Sequence, residues 1–170
     1  DHQLVPPGRQ FLMGTDQYGR DLLSRIIFGA RISLQVGFIA NMFSVVLGMI
    51  IGISAGYYGG RYDLVIMRFM DMIFAFPGLL LAISIIGLIG QRSLTWVMIA
   101  LGVVWIPMYA RLIRGSVLSA KENTYVEAAK VIGMSNVRIM LRHILPNTVT
   151  PVIVVATLCI GVAIRNAAGL

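Results

Sequence analysis

The sequence predicts an all-α, polytopic helical membrane protein. Hydrophobic residues make up 58% of the 170 positions and charged ones only 12%, against about a quarter charged in soluble domains. Several uncharged runs approach the roughly 20 residues needed to cross a bilayer core. The connections between those runs are short and polar, apart from one long one. The net charge of +7 is spread along the chain and gathers mainly between the apolar runs, which fits membrane topology better than phosphate recognition. No nucleic-acid partner is expected.

Four spans can be placed. The first, Ile32 to about Gly56, has only Ser33, Gln35, Asn41, Ser44 and Ser54 as polar members. Ala40, Ser44, Gly48, Gly52 and Gly56 recur every fourth residue. On a helix they form one stripe of small side chains that lets a neighbouring backbone come close. A glycine-rich turn at Tyr57–Arg61 follows, and then an apolar stretch carrying Arg68 and Asp71, three residues apart and able to pair on a helix surface.

The second span is expected over residues 72–89, with Pro77 beginning or kinking it. After Gly90-Gln91-Arg92-Ser93, the third covers 94–110, with Trp96 near one end and Trp105, Pro107 and Tyr109 near the other, where aromatics suit the membrane interface. The fourth is expected over 148–164, after Pro146, with Arg165 placed to snorkel toward the interface. Residues 1–31 read as a segment outside the membrane with no signal peptide visible, and both ends of the chain read as the edges of a fragment.

The connection 111–147 carries Arg111, Arg114, Lys121, Glu122, Glu127, Lys130, Arg138 and Arg142. A charge at the bilayer centre costs about 2.5–3.5 kcal/mol on insertion scales, so this segment stays out of the hydrocarbon. It is not a structureless loop. Thr124-x-x-Glu127 matches a capping box that starts a helix near Tyr125, Gly133 stops that helix, and Ser135 is placed to cap a second one. In the second piece Val137, Leu141 and Ile144 fall on one side, with Arg138 and Arg142 on another. The reading is helix, elbow, helix.

Glu127-Ala128-Ala129, Gly133 and Leu145-Pro146 resemble the EAA loop of ABC importer permeases. That loop runs Glu-Ala-Ala, three residues, Gly, nine residues, Ile, one residue, Leu-Pro, and His143 stands at the isoleucine position. Gly14-Thr15-Asp16-Gln17-Tyr18-Gly19-Arg20-Asp21, Phe76-Pro77-Gly78-Leu79-Leu80 and His143-Ile144-Leu145-Pro146-Asn147 are similar to stretches of one subfamily. It is the second permease subunit of dipeptide, oligopeptide and nickel importers.

The resemblance implies an incomplete type I importer permease fold in a bacterial cytoplasmic membrane, lacking its first and last spans. Residues 111–147 would be a cytoplasmic coupling loop, the 57–71 connection would share that side, and residues 1–31 and Arg92 would lie outside. It implies three protein partners: a second permease subunit, cytoplasmic ATPase subunits and an extracytoplasmic substrate-binding protein, besides membrane lipid. Tyr125, Glu127, Ala128, Ala129, Gly133, Leu145 and Pro146 are the expected ATPase-coupling residues. Di- or oligopeptides are the preferred substrate class, with nickel as the alternative.

No catalytic, cofactor or metal site is expected. Asp71, His143 and Ser84 are the residues an intramembrane hydrolase could draw on, yet no nucleophile elbow, zinc-protease helix or phosphate-binding loop accompanies them. An ion-coupled secondary transporter would place ionisable groups deep inside its spans, whereas the charges here sit at the edges. Cys159 is read as a small core filler.

Overall fold

A computed structural model describes residues 2–91 and 93–167. Arg92, expected outside the membrane, and Asp1 and the last three residues lie outside the described residues. Helices occupy nearly all of the described chain: α1 (Leu22–Tyr58), α2 (Gly60–Phe74), α3 (Gly78–Ile89), α4 (Leu94–Ala120), α5 (Thr124–Val131), α6 (Asn136–Ile139) and α7 (Leu145–Ala167). Three helical stretches are long and apolar enough to cross a membrane, and the bent α2–α3 pair makes a fourth if it is one span.

The small-residue stripe of α1 does what its spacing predicts. A methyl group on Gly52 would stand 2.6 Å from the carbonyl oxygen of Ala110, and one on Gly48 would stand 2.5 Å from the Tyr109 Cβ. The backbones of α1 and α4 therefore touch where glycine permits it. Ser44 Oγ donates to the carbonyl of Gly102 at 2.7 Å, and the returning glycine, Gly102, sits against Phe43. Small residues on both helices make one continuous seam.

One polar node ties three helices together. Asn41, only 1% exposed, accepts from the Tyr109 hydroxyl of α4 at 2.5 Å and donates to the Ala156 carbonyl of α7 at 2.8 Å. An unpaired amide in hydrocarbon costs several kcal/mol, so both bonds are needed.

Helix α1 outruns the expected first span. Asp21 caps it, accepting from the Ser24 N–H at 3.1 Å, and 37 residues give about 55 Å of helix against a core of about 30 Å. Before it, the Asp16 carboxylate accepts from the N–H groups of Tyr18 and Arg20 at 2.8 and 2.9 Å and pairs with Arg25. The segment 2–21 is thus folded onto the start of α1.

The expected second span, 72–89, takes in the last turn of α2 and all of α3, two helices that meet at 89°. Pro77 has no N–H and disfavours helical geometry at Phe76, so the chain turns at 75–77 and α3 starts afresh. Its 12 residues give about 18 Å, short of a full crossing. The third span also needs correction, because α4 continues ten residues past Ala110. Arg111 and Arg114 do not end it, arginine being a good helix former, and they pair with α2: Asp71 holds Arg111 at 2.7 Å and Asp63 holds Arg114 through two bonds of 2.5 Å. The expected Arg68–Asp71 pair does not form: Asp71 faces α4, and Arg111 is held there further by the Phe74 ring, 4.5 Å away.

Pro146 does not precede the last span but lies inside one helical stretch running from Asn136. Having no N–H to offer and a ring that crowds the preceding turn, it follows a π turn over Met140–Ile144, in which Leu145 N–H reaches back to the Met140 carbonyl. That wider turn shifts the buried face. Ile139, Ile144, Thr148 and Val152 point inward, while Val137 and Leu141, expected beside Ile144, are exposed.

Gly52→Val should therefore part α1 from α4 and cost several kcal/mol, as overpacking against backbone does, lowering the unfolding midpoint in detergent, whereas Gly87→Ala, at an open position, should change it little. A second outcome concerns acid. Backbone N–H donors from Arg20, with Tyr18 and the Arg25 side chain adding to them, hold the Asp16 carboxyl below the ordinary carboxylate value. The stability it gives the 2–21 segment is present above that value and lost as pH falls through the depressed one. Protection of the Tyr18 and Arg20 amides against exchange should fall below about pH 4, with the α1 amides beyond the first turn, which Asp21 caps, unaffected.

Candidate functional site

The segment between α4 and α7 forms the helix, elbow and helix expected, with different chemistry at its start. The residue before α5 is Asn123, and neither it nor Thr124 makes a side-chain cap. Asn123 is committed backward: its amide donates to the carbonyls of Ala120 and Ser119 at 3.0 and 3.4 Å, closing the C-terminus of α4. The Thr124–Glu127 capping box is absent. Glu127 is exposed, and its side chain makes no hydrogen bond among the described residues.

The end of α5 is a full Schellman stop. Met134 N–H bonds to the Ala129 carbonyl at 3.1 Å and Gly133 N–H to that of Lys130 at 3.0 Å, with Gly133 at φ +75°. A side chain at Gly133 would meet nothing within 4 Å, so glycine is required there for its backbone angle and not for space. Ser135 occupies the cap position of α6 without a side-chain bond.

The seven expected coupling residues divide. Ala129, 2% exposed, points inward beside Val126, which was not among the seven, and both join Val117, Ala120, Ile139 and Ile144 in the largest apolar cluster. Ala128, Glu127 and Tyr125 are exposed. Tyr125 also braces the loop, its hydroxyl accepting from Asn147 at 3.1 Å while its ring lies 6.3 Å from that of His143. Leu145 is half-buried against the same cluster, and Pro146 is exposed at the base of α7.

Two residues escaped the sequence reading. Val131 and Ile132, 82% and 75% exposed, are the most exposed apolar side chains of the loop and follow Ala128 along its outer side. A signal was present in their position just before the glycine stop, where no charged residue interrupts them. The elbow is also tied to α1. Tyr57 donates to the Asn136 side chain at 2.8 Å, Lys130 lies over the Tyr57 ring, and Lys121 donates to the Gly56 carbonyl at 3.1 Å.

A groove of about 650 Å3 opens between the ends of α4 and α5 and the start of α7, lined by Ser116, Ser119, Asn123, Tyr125 and Asn147. It holds hydroxyls and amides with no nucleophile–base pair. The residues a hydrolase would need are engaged separately: Ser84 Oγ donates to the Leu80 carbonyl of its own helix, and Asp71 holds Arg111. Among the described residues no group of three or more His, Cys, Asp or Glu side chains could hold a metal.

The model of the family described as "Binding-protein-dependent transport system inner membrane component" matches residues 48–170. The chain belongs to that family. The match takes in the α5 elbow and all of α7. The dipeptide transport system permease protein DppC of Alkalihalophilus pseudofirmus is 46% identical over 169 residues, covering 99% of this chain and 55% of that protein. The glutathione transport system permease protein GsiD of Escherichia coli is 44% identical over 164 residues, 96% of this chain and 54% of that one.

The chain thus spans about half the length of the curated relatives it matches. A crystal structure of an amino acid ABC transporter with histidines shares the fold, with a TM-score of 0.59 over 88% of this chain and 74% of that one at 20% identity. The family is one of inner-membrane transport components, and the relatives are named as permeases, not as enzymes.

The elbow offers a direct test of the glycine requirement. Gly133→Val forces a branched side chain into the left-handed region at a cost of roughly 1–2 kcal/mol, and should speed exchange of the Met134 amide. Gly133→Asn, which tolerates that geometry, should stay close to the parent.

Proposed function

We propose that this chain is part of the translocating subunit of an ATP-driven, binding-protein-dependent importer of di- or oligopeptides. In this reading α5 is the coupling helix. The observation that carries it is the two-sidedness of α5: Val126 and Ala129 anchor it to the ends of α4 and α7, while Ala128, Val131 and Ile132 present an uncommitted apolar surface beside Glu127. A helix that only packed the protein's own core would have no use for that surface, whereas a groove on an ATPase subunit can take it. Glu127, released from capping, adds a charge for the same contact.

Motion received by α5 passes through the Gly133 elbow into the stretch that begins at Asn136 and runs unbroken through Leu145-Pro146 into α7. Packed helices rearrange between discrete states, which is what alternating access requires. The remaining partners in this reading are a second permease subunit and an extracytoplasmic binding protein. Residues 1–31 are proposed to face outward, with the 111–147 connection on the cytoplasmic side. Relatives named for dipeptide, peptide and glutathione transport favour a peptide cargo over nickel.

Single-cysteine crosslinking in the assembled transporter separates the two faces of α5. Ala128→Cys should capture the ATPase subunit, and Ala129→Cys, facing inward, should not. Gly133→Val should leave basal ATP hydrolysis in place and reduce its stimulation by substrate-loaded binding protein by about tenfold, the loss expected for roughly 1.4 kcal/mol of coupling. Equal silence at both cysteines together with unchanged stimulation would overturn the reading.

A further inference from the structure

Helix α2 lies across α4. Asp63 meets Arg114 and Asp71 meets Arg111, so eight residues along α2, about 12 Å, correspond to three along α4, about 4.5 Å. Two helices running side by side would advance equally. The crossing falls at the first charged residues of α4, where its apolar run ends. Helix α3, uncharged and bent 89° away from α2, packs against α4 through Ala82. Helix α2 therefore rests at the level where the protein leaves the hydrocarbon, roughly in the plane of the membrane.

Its sides match that position. Asp63 and Met70 face inward. The outward side carries Val65, Phe69 and Met72, all exposed, and along its edge stand Arg61 and Arg68, two turns apart and also exposed. Asp63 and Asp71 are both taken by α4, and among the described residues neither Arg61 nor Arg68 pairs with a carboxylate. A tyrosine cluster marks the same level: Tyr57 and Tyr58, then Tyr58 and Tyr62, meet edge to face with ring centroids 5.5 and 5.8 Å apart, at the depth where amphipathic rings settle.

We propose that α2 is an interfacial helix that binds anionic phospholipid. Val65, Phe69 and Met72 enter the upper acyl region, and Arg61 and Arg68 reach along their stems to hold headgroup phosphates. Lipid is the occupant that supplies both halves of this surface at once, acyl chains for the apolar strip and negative charge for the basic edge. Because α2 joins the α1 end that carries Tyr57, the bound lipids steady the anchor of the elbow. The proposal needs only the membrane setting that the family gives, and it stands or falls apart from the coupling role of α5.

The test uses the complete transporter with its partner subunits in nanodiscs of phosphatidylcholine with or without phosphatidylglycerol. A spin label at Phe69→Cys should be reached by paramagnetic lipids labelled near the headgroup. Phosphatidylglycerol retained on the complex, counted by native mass spectrometry, should fall in the Arg61→Gln, Arg68→Gln double variant, its affinity dropping roughly fivefold per arginine. The Arg61→Lys, Arg68→Lys variant, folded alike and still basic, should keep most of it. Retention unchanged in the glutamine variant would overturn the proposal, as would a Phe69→Cys label shielded from lipid and crosslinked to another subunit.

Discussion

The close contact of α4 with the glycine stripe of α1 is the constraint from which the other arrangements follow. With Gly48, Gly52 and Gly56 each lying against the α4 backbone or Cβ atoms, α4 has one position and one rotation on α1. That rotation turns Tyr109 toward Asn41, presents Val117 and Ala120 as a platform for α5, and sends Arg111 and Arg114 to the side where α2 crosses. Between helices in lipid there is no hydrophobic force to correct a poor fit, so close packing and buried hydrogen bonds must hold the register.

The two ion pairs between α2 and α4 serve the fold by permission more than by attraction. Partly exposed pairs contribute little net stability. What they do is allow α2 to lie across α4, since each arginine finds its carboxylate at the crossing.

The sequence showed what depends on neighbours along the chain and hid what depends on distant ones. The four apolar runs, the α1 stripe and the glycine stop at 133 were readable because spacing and backbone preference alone decide them. The continuation of α4 was not, since its charges, matched by carboxylates 40 and 51 positions earlier, mark the end of the apolar run and not the end of the helix. The Thr124 capping box failed because α5 starts one residue earlier, with Asn123 at the cap position and Thr124 already inside the helix. The apolar face after Gly133 was misread because one wide turn, made ahead of Pro146, moves the inward side from Val137 and Leu141 to Ile139 and Ile144. Asn41 looked like one more polar member of a span; its two partners lie on other helices. Ala128 and Ala129 were indistinguishable as letters, and only the packing of α5 separates a buried alanine from an exposed one.

Helix α1 grips the long stretch from Asn136 to Ala167 twice, through Tyr57 on Asn136 and through Asn41 on the Ala156 carbonyl. The two grips are about 24 Å apart along α1 and about 30 Å apart along the stretch they hold. A strut pinned at one point swivels freely, but one pinned at two cannot turn until a pin is drawn. In the proposed importer any turn of this stretch must first break one of these two bonds, and the buried one belongs to Asn41.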